Sequence, residues 1–184
     1  TGSGKSELLR TWILSLAVNY HPHEVNFVII DYKGGGMANK LDALPHVVGK
    51  ITNIDSNINR TLVSLKREAK RRMKLLEGYP GVDDVDQYMQ LYYSGKATEP
   101  MPHLIIVSDE FAELKKEEPE FMKELNTLAR VGRSVGIHLL LATQRPTGLV
   151  DDQIDANSRF RICMKVNSVQ DSKDIIKKPD AAAI

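Results

Sequence analysis

The chain is 184 residues long, enough for one domain with a substantial core, with 42% apolar and 27% charged residues, the balance of a globular protein. Its formal net charge of +1 argues against a domain dedicated to phosphate-backbone contacts, which carries a stronger basic bias. A single cysteine, Cys163, excludes an internal disulfide and fits a reducing cytosol, and no run approaches the roughly 18 apolar residues of a membrane span.

The chain opens on TGSGKSE. Gly4, Lys5 and Ser6 match the last three positions of G-x-x-x-x-G-K-[ST], a loop whose backbone N–H groups face phosphate oxygens. The pattern's first glycine would fall one residue before Thr1. A Gly/Ser turn capping an ordinary helix is the plain alternative. Leu8, Leu9, Trp12, Ile13 and Leu16 then repeat at helical spacing and predict a helix from Ser6 to about Asn19. VNFVIID, a continuous apolar run ending in Asp31, reads as a buried strand. KGGGM reads as a turn, and HVVGKIT as a further strand candidate. Ile58, Leu62, Leu65, Ala69, Met73 and Leu76 mark one face of a long helix ended by Gly78 and Pro80.

A short helix is expected from Val85 to Tyr93, then the loop SGKATEPMP. HLIIVSDEF is a strong strand whose end presents Asp109 and Glu110. Phe121, Leu125, Leu128 and Ala129 mark a helix running to about Val135. GIHLLLATQ and RFRICMKV read as two more strong strands, and VQDSKDII as a closing helix. Strands alternating with helices predict an α/β domain with a parallel sheet.

The chemistry gathers at the ends of these elements. Lys5 would reach the β- and γ-phosphates of a nucleotide, and Ser6 would ligate Mg²⁺. The helix behind them would add its positive end. Asp109 would face that metal, and Glu110 would orient or deprotonate an attacking water. Asp and Glu at a strand-to-helix junction also suit a helix N-terminus for purely structural reasons. Thr143 and Gln144 follow an apolar strand and would face the same crevice as Asp109, with Gln144 able to sense the γ-phosphate or the water. Arg130 and Arg133 could reach a neighbour's γ-phosphate as arginine fingers, worth about 10³–10⁵ in rate, or simply neutralise a helix C-terminus. Arg145, Arg159 and Arg161 are lesser candidates. In KREAKRRMK, the residues Lys66, Arg67, Lys70, Arg71 and Lys74 lie off the apolar stripe, which fits a solvated face better than a nucleic-acid patch. The five histidines, His21, His23, His46, His103 and His138, show no metal-ligand spacing.

The set TGSGKSE, IIDYKGGG, IIVSDEFAEL, GIHLLLATQRP and VDDQIDANSRFRICMKV resembles the FtsK/SpoIIIE family of P-loop motor ATPases along nearly the whole chain, least over Glu77 to Pro100. More narrowly, DYKGGGMAN, LPHVVGKITN, ARVGRSVGIHLLLATQRP and DDQIDANSRFRICMKV look like the EssC/EccC ATPases of type VII secretion. The resemblance implies a RecA/FtsK-like P-loop fold and a nucleotide site over Thr1, Gly2, Ser3, Gly4, Lys5, Ser6 and Glu7. It implies Mg²⁺ on Ser6 and Asp109, and catalytic roles for Glu110, Arg133 and Gln144, with Arg133 acting in trans. ATP and Mg²⁺ would be the cofactors. Neighbouring ATPase domains or subunits, WxG-type secreted proteins and channel components would be the partners, at the cytoplasmic face of the membrane in a membrane-anchored parent. The family places a core strand and the loop's first glycine before Thr1. Residues 1–184 are therefore expected to be one ATPase domain cut inside its P-loop, and cut again at its far end, from a larger multidomain chain. A DNA-translocating ATPase of the same fold and a non-hydrolysing nucleotide-binding docking module are the two alternatives.

Overall fold

The structure, a computed structural model, describes residues 4–31, 36–52, 58–144 and 152–184. Helix α1 (Lys5–Asn19) leads into strand β1 (Val25–Ile30), the short helix α2 (Gly36–Leu41) and strand β2 (Val47–Ile51). Helices α3 (Ile58–Glu77) and α4 (Val85–Tyr93) precede strand β3 (His103–Ser108). Helices α5 (Phe111–Glu117) and α6 (Pro119–Val131), strand β4 (Ile137–Leu141), helices α7 (Asp152–Asn157) and α8 (Val169–Ile176), and a final 3-10 turn at Asp180–Ala182 complete the chain.

The four strands form one sheet in the order β2-β1-β3-β4, every neighbouring pair parallel. Alternate residues of the same strands feed two separate cores, because side chains of a strand point to opposite faces. Phe27, Ile29, Ile105 and Val107 pack with Leu9 and Ile13 of α1 and with Met37 and Leu41 of α2. Val28, Ile30, Leu104 and Ile106 pack on the other face with Leu65, Ala69, Tyr88, Leu125 and Leu128 of α3, α4 and α6. Helices thus cover both sides, which is why β1 and β3 read as unbroken apolar runs rather than alternating ones.

Three expectations change. The helix marked by Phe121 is preceded by a separate one. Pro119 lacks an N–H and holds Glu118 out of helical geometry (φ −129, ψ 63), so α5 stops and α6 starts afresh. That second helix ends at Val131, four residues short of the expected Val135. A Cβ on Gly132 would sit 2.8 Å from the Leu128 carbonyl and 2.9 Å from Ile137, so the chain turns there into β4 on a glycine. RFRICMKV, expected as a strand, is not one: residues 158–166 have no ladder with any described strand. Phe160 is 95% exposed and Ile162 is 74% exposed. The alternation of apolar residues was real, but a strand is made by a partner's backbone, and among the described residues this segment has isolated contacts in place of a ladder. The Val166 N–H donates to the Ala181 carbonyl, and Met164 touches Gly4. Among the described residues β4 pairs only with β3 and is an outer strand.

The basic helix settles into the fold in a way its sequence did not announce. Arg72 falls on the buried face of α3 and is 2% exposed. Its guanidinium donates to the carbonyls of Pro102 (2.7 Å) and Val135 (2.9 Å), just before β3 and β4, and to Glu68 Oε1 (2.7 Å). Burial pulls the Arg72 pKa down against the pull of Glu68, yet a guanidinium stays charged at any physiological pH. Burial of Glu68 opposes its ionisation, but hydrogen bonds from Arg71 and Arg72 win and hold its carboxyl at about 2. Lys66 pairs with Glu124, and Arg71 with Glu68 and Glu99. Much of the run is therefore consumed by the fold.

Candidate functional site

The candidate site lies at the carboxyl ends of the strands, where apolar runs give way to polar residues. Helix α1 starts there. Its N-cap is Gly4 at φ +82, a conformation that favours glycine, and among the described residues no side chain caps the helix. The first helical hydrogen bond runs from the Leu8 N–H to the Gly4 carbonyl, leaving the N–H groups of Lys5, Ser6 and Glu7 without partners inside the helix. Such a start favours an anion. A Cβ on Gly4 would meet the Met164 side chain at 3.1 Å, so the turn is backed by the 158–166 segment.

Lys5 crosses from this helix to β3. Its Nζ donates to Asp109 Oδ1 at 2.6 Å and also to the Asp109 carbonyl, joining residues 104 apart in sequence. Both side chains are largely shielded, at 14% and 20% exposure, so the pair is worth more than a surface ion pair. Ser6 and Glu7 are exposed in the same turn, with Glu7 paired to Arg10. Glu110 is 4% exposed. One of its oxygens accepts from the Thr143 hydroxyl, and the Gln144 N–H lies 3.2 Å from both oxygens. Gln144 itself is exposed.

The structure thus brings Lys5, Ser6, Asp109, Glu110, Thr143 and Gln144 to one end of the sheet. Thr1, Gly2, Ser3 and Arg145 lie outside the described residues. Arg130 and Arg133 are exposed, and Arg133 sits in the turn before β4, at the opposite end of the sheet from Asp109. Within one copy of the chain it does not join the site. Arg161 is occupied by Asp155 and by the Ser158 carbonyl.

Sequence reasoning gave Asp31 no role. This residue is buried at the end of β1, next to Asp109 across the β1–β3 register, and its Oδ2 accepts from the Met37 and Ala38 N–H groups (3.0 and 3.3 Å). It caps α2. The signal was present as an Asp six residues ahead of a Met-Ala pair, but the glycines between them hid the helix.

The residues fit a bound nucleotide and divalent metal on chemical grounds. An uncapped helix start, one ammonium group, one hydroxyl and a carboxylate at a strand end supply donors for phosphate and oxygen ligands for a hard cation. Among the described residues no cluster of three or more His, Cys, Asp or Glu side chains forms a metal site by itself. A metal here would need ligands beyond the protein, as phosphate-bound Mg²⁺ does.

The model of the FtsK/SpoIIIE family matches residues 1–148. Over its full length the chain is 59% identical to the type VII secretion system protein EssC of Staphylococcus aureus and 57% identical to the ESX secretion system protein EccC of Geobacillus thermodenitrificans. It spans only 12% and 13% of those relatives. Among solved structures, the cytoplasmic domain of the Thermomonospora curvata type VII secretion ATPase EccC matches all of the chain at TM-score 0.89 and 37% identity, using 22% of that chain. A Geobacillus thermodenitrificans EssC structure holding ATPases 2 and 3 matches 85% of the chain at TM-score 0.73 and 26% identity, using 29% of its own length.

Proposed function

Because the chain belongs to the FtsK/SpoIIIE family, we propose that it is an ATP-hydrolysing module of a type VII secretion motor, converting phosphoryl transfer to water into work on exported protein. The observation that carries this reading is the contact between Lys5 and Asp109, which joins the two halves of a P-loop site from opposite parts of the sequence. The N–H groups opening α1 and the Lys5 amine bind the phosphate oxygens. Ser6 and Asp109 would hold Mg²⁺, which neutralises charge building on the transferred phosphoryl group. Glu110 orients the attacking water and takes its proton. Gln144 faces the terminal phosphate or that water. Arg133, exposed and remote from its own site, completes the site of a neighbouring subunit or domain.

The test is Glu110→Gln in the intact parent protein. ATP binding is expected to persist while hydrolysis falls by about 10²–10⁴-fold, the range for loss of a general base. Undiminished phosphate release would remove Glu110 from the reaction.

The relatives also bear on which module this is. The chain is 57% identical to part of the full-length Geobacillus protein but 26% identical to the Geobacillus structure of ATPases 2 and 3. That gap supports a place outside those two, as the first ATPase of the array. The parent reading frame should then carry two further P-loop modules after this one, and finding two ahead of it would reverse the assignment. Neighbouring modules, WxG-type export substrates and channel components are the partners of this reading, with the parent anchored at the cytoplasmic face of the membrane. Among the described residues no helix is long and apolar enough to cross a membrane. On α3, Lys66 and Arg71 are ion-paired and Arg72 is buried, while Arg67, Lys70 and Lys74 stay exposed as the surface a DNA-translocating alternative would use. Duplex-stimulated, salt-sensitive hydrolysis would bring that alternative back.

A further inference from the structure

We infer that Thr143 is a positioning residue for Glu110, fixing the direction of its carboxylate and tying it to the exit of β4; the inference rests on the ATPase reading above.

A carboxylate that is 4% exposed cannot be oriented by bulk water, and a buried charge requires donors. Two donors to Glu110, the Thr143 hydroxyl and the Gln144 N–H, come from consecutive residues at the end of β4. The backbone keeps them in register with Glu110. The Ala142 N–H donates to the Ser108 carbonyl at 2.9 Å, and the Phe111 N–H donates back to the Ala142 carbonyl at 2.9 Å. The β3–β4 pairing therefore continues beyond both strands, and Glu110 is bracketed by the bonded residues Ser108 and Phe111. Thr143 is thus held beside one particular rotamer of Glu110. Because the Gln144 N–H binds the same carboxylate, a displacement of the backbone at Gln144 also moves the oxygens that would act on water. The site's acid–base group and its exposed glutamine are in this way mechanically one unit.

A hydroxyl that only satisfied a buried charge would affect stability alone. A hydroxyl that aims the charge affects turnover, and the two are separable. In the intact parent protein, Thr143→Val should lower kcat by about 10- to 100-fold, the size of one hydrogen bond to a charged group. KM for ATP and the affinity for ATPγS should stay within about twofold, since ground-state binding does not use this bond. Thr143→Ser, which restores the hydroxyl, should recover kcat to within about threefold of wild type. In a Glu110→Gln background, Thr143→Val should cost nothing further, because the group it positions is already disabled. Wild-type kcat in Thr143→Val would overturn the inference, as would a serine variant no better than valine, or a full further loss in the Glu110→Gln background. Should Glu110→Gln itself hydrolyse ATP at the wild-type rate, the ATPase assignment of Glu110 falls, and this inference with it. If the valine variant fails to fold, Thr143→Ala is read against the serine variant in the same way.

Discussion

The two ends of the same sheet carry similar kinds of residues put to opposite uses. At the carboxyl end, β3 and β4 run out into Asp109, Glu110, Thr143 and Gln144, and helix α1 begins beside them with no side-chain cap among the described residues. At the amino end the strands start at polar groups too, but these are closed on one another. His103 bridges Asp86 (3.2 Å) and His138 (2.9 Å), Tyr93 donates to Glu24 (2.7 Å), and Arg72 bolts the carbonyls of Pro102 and Val135. Helix α4 begins at this end with its own cap, the Asp84 carboxylate accepting from the Gln87 N–H at 2.9 Å. A helix start already satisfied by its own chain is a structural joint. One left open beside a lysine and a strand-end carboxylate is a place for an anion.

The sharpest way to break this contrast is to remove the charge from each end. Lys5→Ala should weaken ATP binding by about a hundredfold or more, since charge-assisted bonds to phosphate and the neutralisation of Asp109 are lost together. His103→Ala, at the other end, should leave ATP affinity within about twofold. Equal losses in calorimetric titrations would show that the ends are not functionally distinct. Next in size is the bolt. Arg72→Ala should destabilise the domain by about 3–5 kcal/mol, because a buried guanidinium goes, leaving two strand-leading carbonyls without their donor and Glu68 with Arg71 alone. Denaturant unfolding should read this loss, whereas ATP affinity of the folded fraction should not change. Capping comes third. Asp84→Ala should cost about 1 kcal/mol, the usual value for a lost N-cap, with turnover untouched.

The smallest effect is in the pH dependence of the amino end. Burial is the main cause of a lowered His138 pKa, helped by the neighbouring His103, Arg72 and Arg133 and opposed by Asp86. With the folded value below the unfolded one, the unfolded chain binds the extra proton first. The contribution of His138 is therefore complete above the ordinary histidine range and is lost as pH falls below about 6.5 through the folded value. Glu68 acts in a lower window: its carboxyl is held at about 2, so its share of stability is present above its ordinary value and disappears as pH falls toward 2. A His138→Gln variant should flatten the upper part of a melting-temperature profile between pH 7 and 5 and leave the lower part intact. A profile unchanged by the substitution would mean that protonation of His138 is not coupled to folding.

Most of the elements were legible along the chain. The apolar runs of β1, β3 and β4 and the stripes of α1, α3 and α6 are local patterns, set by the pitch of a helix or the pleat of a strand and by which face loses contact with water. Asp109 and Glu110 stood out as polar residues placed where such a pattern stops, and Lys5 as part of a short local motif, GKS. Helix α2 did not, since KGGGM contains the residues of a turn, and its cap, Asp31, acts across six positions. The RFRICMKV segment failed in the opposite direction. It has the composition of a strand, but no described strand lies beside it to make one.

By itself, the sequence determined the alternation of helices and strands, the polar character of the strand exits and the parallel α/β class, because each depends on near neighbours in the chain. Tertiary structure alone decided that Lys5 meets Asp109 and that Glu110 is gripped by Thr143. It also decided that Arg72, in the midst of a basic run, is the least exposed of its neighbours. Those pairings depend on the register between strands and on the seat of each helix against the sheet, and no local spacing encodes a contact made between elements tens of residues apart.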